Sequence, residues 1–274
     1  MFTPRLGVSL HCVQPSIDGE LLNALAQSQV ATLELATLEL APKLFGDDPA
    51  TRTALRATML TSGIRAATVH APFGGSIDVS SLDDGIRQRG TMVWRDSLEL
   101  ASDFEAGMVV LHASAEPVGD DERAQRMDRV RETLASVADR CRELRLRATV
   151  ELLPRSCLGN TTDELIEIIA DLDPRIFGVC LDVNHLMDRP HTLADVVHKL
   201  GDRLFTLHLS DYDGVDEKHW MPGDGVLDWS SLMAALDEID YDGPFNYEAK
   251  ISGDTPGERL AELQRNFAWL LSLR

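Results

Sequence analysis

Long apolar runs are missing from this chain. No segment approaches the roughly 18 consecutive apolar residues of a membrane span, and the opening MFTPRLGVSL has no basic leader followed by an apolar core. A soluble, cytoplasmic protein with no membrane partner is the expectation. Positive charge is scarce too. Lys and Arg number 26 against 45 Asp and Glu, giving a net charge of −19, and a field of that sign opposes a polyanion, so no nucleic-acid partner is expected. The acidic residues follow helical spacing and are not gathered in a tail, as solvated helix surfaces should. Cys12, Cys141, Cys157 and Cys180 form no CxxC pair. A cysteine-built zinc site is therefore absent, and ordinary reduced thiols remain, with Cys12 and Cys180 inside predicted strands. Also absent are a G-x-G-x-x-G after the first strand, a G-x-x-x-x-G-K-[ST] loop and a G-x-S-x-G elbow. Nothing thus supports a dinucleotide site, a P-loop or a serine nucleophile.

One pattern occurs eight times. Short apolar runs stand at 6–13, 31–36, 64–70, 107–112, 148–153, 177–183, 204–209 and 245–248, each followed by a segment with helical periodicity. Asp121 to Leu144, Thr162 to Leu172 and Asp228 to Ile239 are examples. Thr161-Thr162-Asp163-Glu164 and Thr255-Pro256-Gly257-Glu258 read as helix caps. Gly63, Gly107, Gly178 and Gly243 stand just before strands, as turns or helix ends should. Strict strand–helix alternation with near-continuous apolar strands predicts parallel strands covered by helices. The fold class is α/β, a (β/α)8 TIM barrel forming a single domain over residues 1–274, with a doubly wound open sheet as the rival.

A barrel brings the carboxyl ends of all its strands to one face, where barrel active sites lie. The residues there are His11, Glu34, His70, His112, Glu151, Asp182 with His185, His208 with Asp211, and Glu248 with Lys250. His191 and His198 fall near the sixth helix and read as surface. Ionisable groups in core-facing strand positions need something to compensate their desolvation. An ion pair is the plain explanation, with Arg155 serving Glu151 and Lys250 serving Glu248, and Asn184 and His185 satisfying Asp182 as a turn. A bound divalent cation serves Glu151, Asp182, His208 and Glu248 at once, and the set reads as a metal site in preference to separate ion pairs. Three carboxylates and one imidazole suit Mn²⁺, Mg²⁺ or Co²⁺, with Zn²⁺ as a further option. Trp220, Trp94, Trp229 and Phe73 are candidates for a sugar-facing wall, Trp220 the best of them. Asp211 and Asp213 are candidates for orienting His208 or holding the loop that follows it.

The order HAPF at 70–73, VVLH at 109–112, TVELLP around Glu151, LDVNH at 181–185, LHLSDYDGVDEKHWMPGDGVLDW at 207–229 and YEAK around Glu248 resembles the xylose isomerase-like TIM barrel superfamily. Within it the chain is similar to the sugar phosphate isomerase/epimerase branch, which is related to endonuclease IV-type apurinic endonucleases. The resemblance implies that Glu151, Asp182, His208 and Glu248 are metal ligands. It also implies that Glu151 and Glu248 are the acid/base pair, acting on opposite sides of a substrate carbon through a metal-stabilised cis-enediolate. By the same resemblance His185 and His219 contact substrate, and His70 and His112 are pocket residues, or metal ligands as in the endonuclease branch.

The expected function is a metal-dependent isomerase or epimerase of a small keto sugar, polyol or hydroxy acid. A lyase on the same enolate chemistry, inosose dehydratase-like or eliminating from a 3-keto-glycoside, is the alternative. A zinc phosphodiesterase would use His70, His112, Glu151, Asp182, His185, His208, Glu217, His219 and Glu248. A barrel without catalysis would bind no metal. No Gly-rich phosphate cradle is evident, so nothing in the sequence calls for a phosphorylated substrate. Barrels of this kind often pair, which makes a second copy a candidate partner.

Overall fold

The computed structural model describes residues 3–36 and 49–274. Eight parallel strands close into a barrel in chain order: β1 (Leu6–Ser9), β2 (Thr32–Ala36), β3 (Arg65–His70), β4 (Met108–Leu111), β5 (Arg147–Glu151), β6 (Phe177–Asp182), β7 (Leu204–Leu209) and β8 (Phe245–Tyr247). The helices following them are α1 (Gly19–Ala26), α2 (Pro49–Ser62), α3 (Asp84–Asp103), α4 (Asp120–Leu144), α5 (Thr162–Ile168), α6 (Leu193–Leu200), α7 (Trp229–Glu238) and α8 (Pro256–Leu271). The open-sheet alternative is excluded by the pairing of β8 with β1. Among the described residues no helix is long and apolar enough to cross a membrane.

Caps were the most legible boundaries. Thr161 accepts from the Glu164 N–H, and Thr255 forms a reciprocal capping box with Glu258. Other expectations need correction. The first strand stops at Ser9, and Leu10–Val13 form one helical turn that carries His11 and Cys12, because a short apolar run fits a buried turn as well as a strand. Helix α5 ends at Ile168, four residues before the predicted Leu172. Gly178 does not precede β6 but lies within it: a Cβ there would stand 2.4 Å from the Phe205 ring, which needs that space.

Strand alternation sorts the side chains. Val8, Leu33, Val69, Val109, Val150, Val179 and Leu207 belong to the core shared with α3, α4 and α8 through Leu98, Leu134 and Leu263. The buried polar set includes Ser9, Glu34, Thr68, Thr149, Thr206 and Asn246. Some of these bond across the barrel: Glu34 on β2 reaches His208 on β7, and Glu151 on β5 reaches His70 on β3. Two register shifts skip Ala67 on β3 and Phe205 on β7. Such bulges re-aim the residues beyond them, here His70 and His208.

The loop after β7 is organised by Asp211, which forms no hydrogen bond or ion pair with His208. Its carboxylate accepts from the N–H groups of Tyr212, Gly223 and Leu227 at 2.9, 2.9 and 3.2 Å and from the Trp229 indole at 2.8 Å. Gly225 packs so closely that a Cβ would lie 2.2 Å from the Tyr212 carbonyl oxygen. Asp211→Ala would strand four donors and should destabilise the fold by about 3 kcal/mol or more, read as a lowered denaturation midpoint. An unchanged midpoint would refute this role.

Candidate functional site

A cavity of about 870 Å³ opens at the carboxyl end of the barrel, lined by His11, His70, His112, Glu151, Asp182, His185, His219 and Glu248 among others. The donors predicted as metal ligands converge at its base. His208 Nδ1 lies 2.7 Å from Glu248 Oε2, 3.2 Å from Glu151 Oε1 and 4.0 Å from Asp182 Oδ2. One donor atom from each of the four residues lies within 4.8 Å of the others. Each sits at or just past a strand end, so the barrel, more than any loop, fixes their spacing.

Arg155 does not serve Glu151. It is tied to Glu116, Asp216 and Glu217, and Glu151 Oε2 instead accepts from His70 Nε2 at 3.0 Å and His112 Nε2 at 3.1 Å. Lys250 is exposed, and the side chains that face Glu248 are the imidazoles of His208 and, at 3.8 Å, His11. Asn184 satisfies half of Asp182: its N–H donates to Oδ1 at 2.8 Å, while Oδ2, fully buried, has no hydrogen-bond partner. His185 approaches Oδ2 at 3.5 Å, but its Nδ1 is committed to the Leu152 carbonyl at 2.8 Å.

The electrostatics follow from that crowding. Burial pushes His208 toward neutrality, but the Cys180 sulfur, Glu34, Glu248 and Glu151 outweigh it and raise its pKa well above the ordinary value. Burial likewise opposes ionisation of Glu151 and Glu248, and His208 reverses it, holding both below the carboxylate range. Asp182 goes the other way: burial outweighs His185 and His219 and raises it. A proton on His208 thus supplies the positive charge that the carboxylates face. A divalent cation fits the same place, because it would replace that proton and give Asp182 Oδ2 a partner.

Glu34 is the residue whose role sequence reasoning missed. It marked a strand end without an assigned task. Its Oε2 accepts from His208 Nε2 at 3.0 Å, and the carboxylate is itself held by Ser9 Oγ and Thr68 Oγ1. That contact places the Nε2 proton and turns Nδ1 toward the carboxylates, the outer-shell arrangement that metal-bound histidines commonly have.

His185 Nε2 donates to Glu217 Oε2 at 2.9 Å, and His219 Nδ1 donates to the Glu248 carbonyl at 3.1 Å. The His185 hydrogen bond, helped by Arg155, lowers Glu217 to about 2 despite burial. Phe73 lines the cavity and stacks on His112 with ring centroids 3.7 Å apart. Trp220 was expected at the substrate but is not in the cavity lining. Its backbone pairs with Asp211 as an antiparallel bridge, and alternation sends its neighbour His219 inward instead. Trp94 and Trp229 are core residues, His191 is exposed, and the exposed His198 pairs with Glu238.

The sequence profile of xylose isomerase-like TIM barrels matches residues 22–273. The chain belongs to that family. An uncharacterized protein of Methanocaldococcus jannaschii is 26% identical over 187 residues, covering 66% of this chain and 64% of that protein. An L-ribulose 3-epimerase of Methylomonas is 28% identical over 187 residues, covering 66% and 63%. The match therefore spans less than two thirds of the length of either relative. A solved D-tagatose 3-epimerase-like protein superposes with a TM-score of 0.84 at 22% identity, covering 98% of this chain and 97% of that one. That likeness establishes the shared fold.

Glu34→Gln should weaken Mn²⁺ binding by roughly 10–100-fold through misorientation of His208, measured by calorimetric titration. Affinity equal to wild type would show that Glu34 does not position the ligand.

Proposed function

We propose that this family member is a divalent-metal-dependent isomerase or epimerase of a small keto sugar, polyol or hydroxy acid, working as one barrel domain. The observation that carries the reading is the buried, unpartnered Asp182 Oδ2 among Glu151, His208 and Glu248 at the cavity base. The 3-epimerase activities named for relatives support it. The four residues would hold Mn²⁺, Mg²⁺ or Co²⁺, or Zn²⁺, and the bound ion would supply Lewis acidity toward substrate oxygens.

The remaining work belongs to the chain. Removing a proton beside a carbonyl demands a carboxylate held close to the carbon, since a carboxylate in water is a poor base for C–H. Glu248 Oε1 is suited to take the proton, because its partner oxygen Oε2 faces His208 while Oε1 has His11 no nearer than 3.8 Å. Glu151 acts from the other side of the carbon, its Oε2 kept in place by His70 and His112. His185 and His219 would contact substrate hydroxyls, and Phe73, Leu153 and Ile251 give the cavity apolar wall.

One observation favours a second reading. Besides the four-donor set, His70–His112–Glu151 and His185–Glu217–His219 each form a group of three potential ligands. That arrangement suits a multinuclear phosphodiesterase. Against it stand the net charge of −19 and the commitment of Glu217 to Arg155 and His185.

Metal-loaded protein incubated in D₂O with keto sugars, inososes and hydroxypyruvate should place deuterium on the carbon next to the carbonyl. Exchange with elimination would move the assignment to a lyase, and silence accompanied by nicking of abasic DNA would contradict both. Glu151→Gln and Glu248→Gln should each cut exchange by about 10²–10⁴-fold while circular dichroism stays unchanged. Exchange that survives either substitution would remove that residue from the acid/base pair.

A further inference from the structure

Three Lys or Arg side chains line the cavity: Arg155, Lys250 and Arg259. They are not equivalent. Arg155 is neutralised by Glu116, Asp216 and Glu217 at 2.8, 2.8 and 2.7 Å. Lys250 and Arg259 have no carboxylate within 4 Å among the described residues, the exposed Glu258 acting on Arg259 only from farther off, in a protein where 45 acidic residues outnumber 26 basic ones. Both come from the β8–α8 unit, which the closed strand order places across the barrel mouth from Arg155 and the end of β5.

Arg259 is held as a donor would be for a ligand. Nη1 donates to the Val13 carbonyl at 2.7 Å and Nε to the Gly253 carbonyl at 3.0 Å. These neutral contacts clamp the guanidinium between the segments that follow β1 and β8 without cancelling its charge. The adjacent Glu258 is occupied, its Oε2 accepting from the N–H groups of Asp254 and Thr255. A planar guanidinium fixed by carbonyls, lining the same cavity as Lys250, matches a carboxylate or phosphate. There is space for one: about 870 Å³ lies toward the upper end of the roughly 300–1,000 Å³ usual for ligand pockets.

We infer that the substrate carries an anionic group, a phosphate or a carboxylate, remote from its reacting carbon, and that Lys250 and Arg259 bind it. The inference rests on the isomerase or epimerase reading and narrows its substrate class. It also supplies what the sequence lacked: recognition of an anion by a cation pair where no glycine-rich cradle exists.

The test compares deuterium exchange by the Mn²⁺-loaded protein on a neutral ketohexose, its 6-phosphate and the corresponding keto-uronate. One anionic compound should exceed the neutral sugar in kcat/KM by about tenfold or more, as a charge-assisted hydrogen bond supplies, and which one does so separates phosphate from carboxylate. Lys250→Gln should raise KM for that compound by about tenfold with kcat little changed, and so lower its preference over the neutral sugar. Arg259→Lys should do the same while keeping the charge that the fold sees. Equal or better exchange on the neutral sugar, or a KM change shared by neutral and anionic compounds, overturns the anion subsite and leaves the epimerase reading standing. No exchange on any of the three, nor on inososes or hydroxypyruvate, overturns the epimerase reading itself.

Discussion

Three carboxylates meet at one imidazole nitrogen inside the barrel mouth, and their mutual repulsion at low dielectric is tolerable only with positive charge among them. His208 is placed at that point, and its environment raises its pKa so that a proton can supply the charge. Much of the surrounding architecture serves this arrangement. Ser9 and Thr68 hold Glu34, Glu34 holds His208 Nε2, and His70 with His112 hold Glu151. Asp182 Oδ2 is the atom this network leaves unsatisfied, and the proposal of a divalent cation rests on it.

The same crowding explains the division of labour around the cavity. Glu248 lies just past β8 and is more accessible than Glu151, with side-chain exposures of 15% and 2%. The pair is thus asymmetric before any substrate arrives: Glu151 is fixed by two histidines, and Glu248 faces the cavity with one oxygen less constrained. Around them the rim separates into an ion-paired bank at Arg155 and, at Lys250 and Arg259, one without a close ion pair among the described residues. A ligand with a reacting keto group at one end and a negative charge at the other suits that polarity.

Much of this was legible in the chain itself, for identifiable reasons. Glu151, Asp182, His208 and Glu248 were visible because ionisable residues rarely close an apolar strand without cause, and the barrel brought residues nearly a hundred positions apart together. The role of Glu34 was not visible, since its bond to His208 spans 174 positions, crosses the barrel and depends on bulges that no local pattern announces. The end of β1 was misjudged because LHCV is as apolar as a strand yet winds into a helical turn. Trp220 was misjudged because one position of alternation decides whether it or His219 faces the cavity. Arg155 and Lys250 are near Glu151 and Glu248 in sequence, but the fold supplies histidines from other strands instead.

The central claim is that these four donors share one divalent ion, and anomalous diffraction from crystals grown with Mn²⁺ tests it most directly. The account predicts a single strong peak within coordinating distance of Glu151, Asp182, His208 Nδ1 and Glu248. No peak there, or peaks of equal strength at the His70–His112–Glu151 and His185–Glu217–His219 groups, would contradict it.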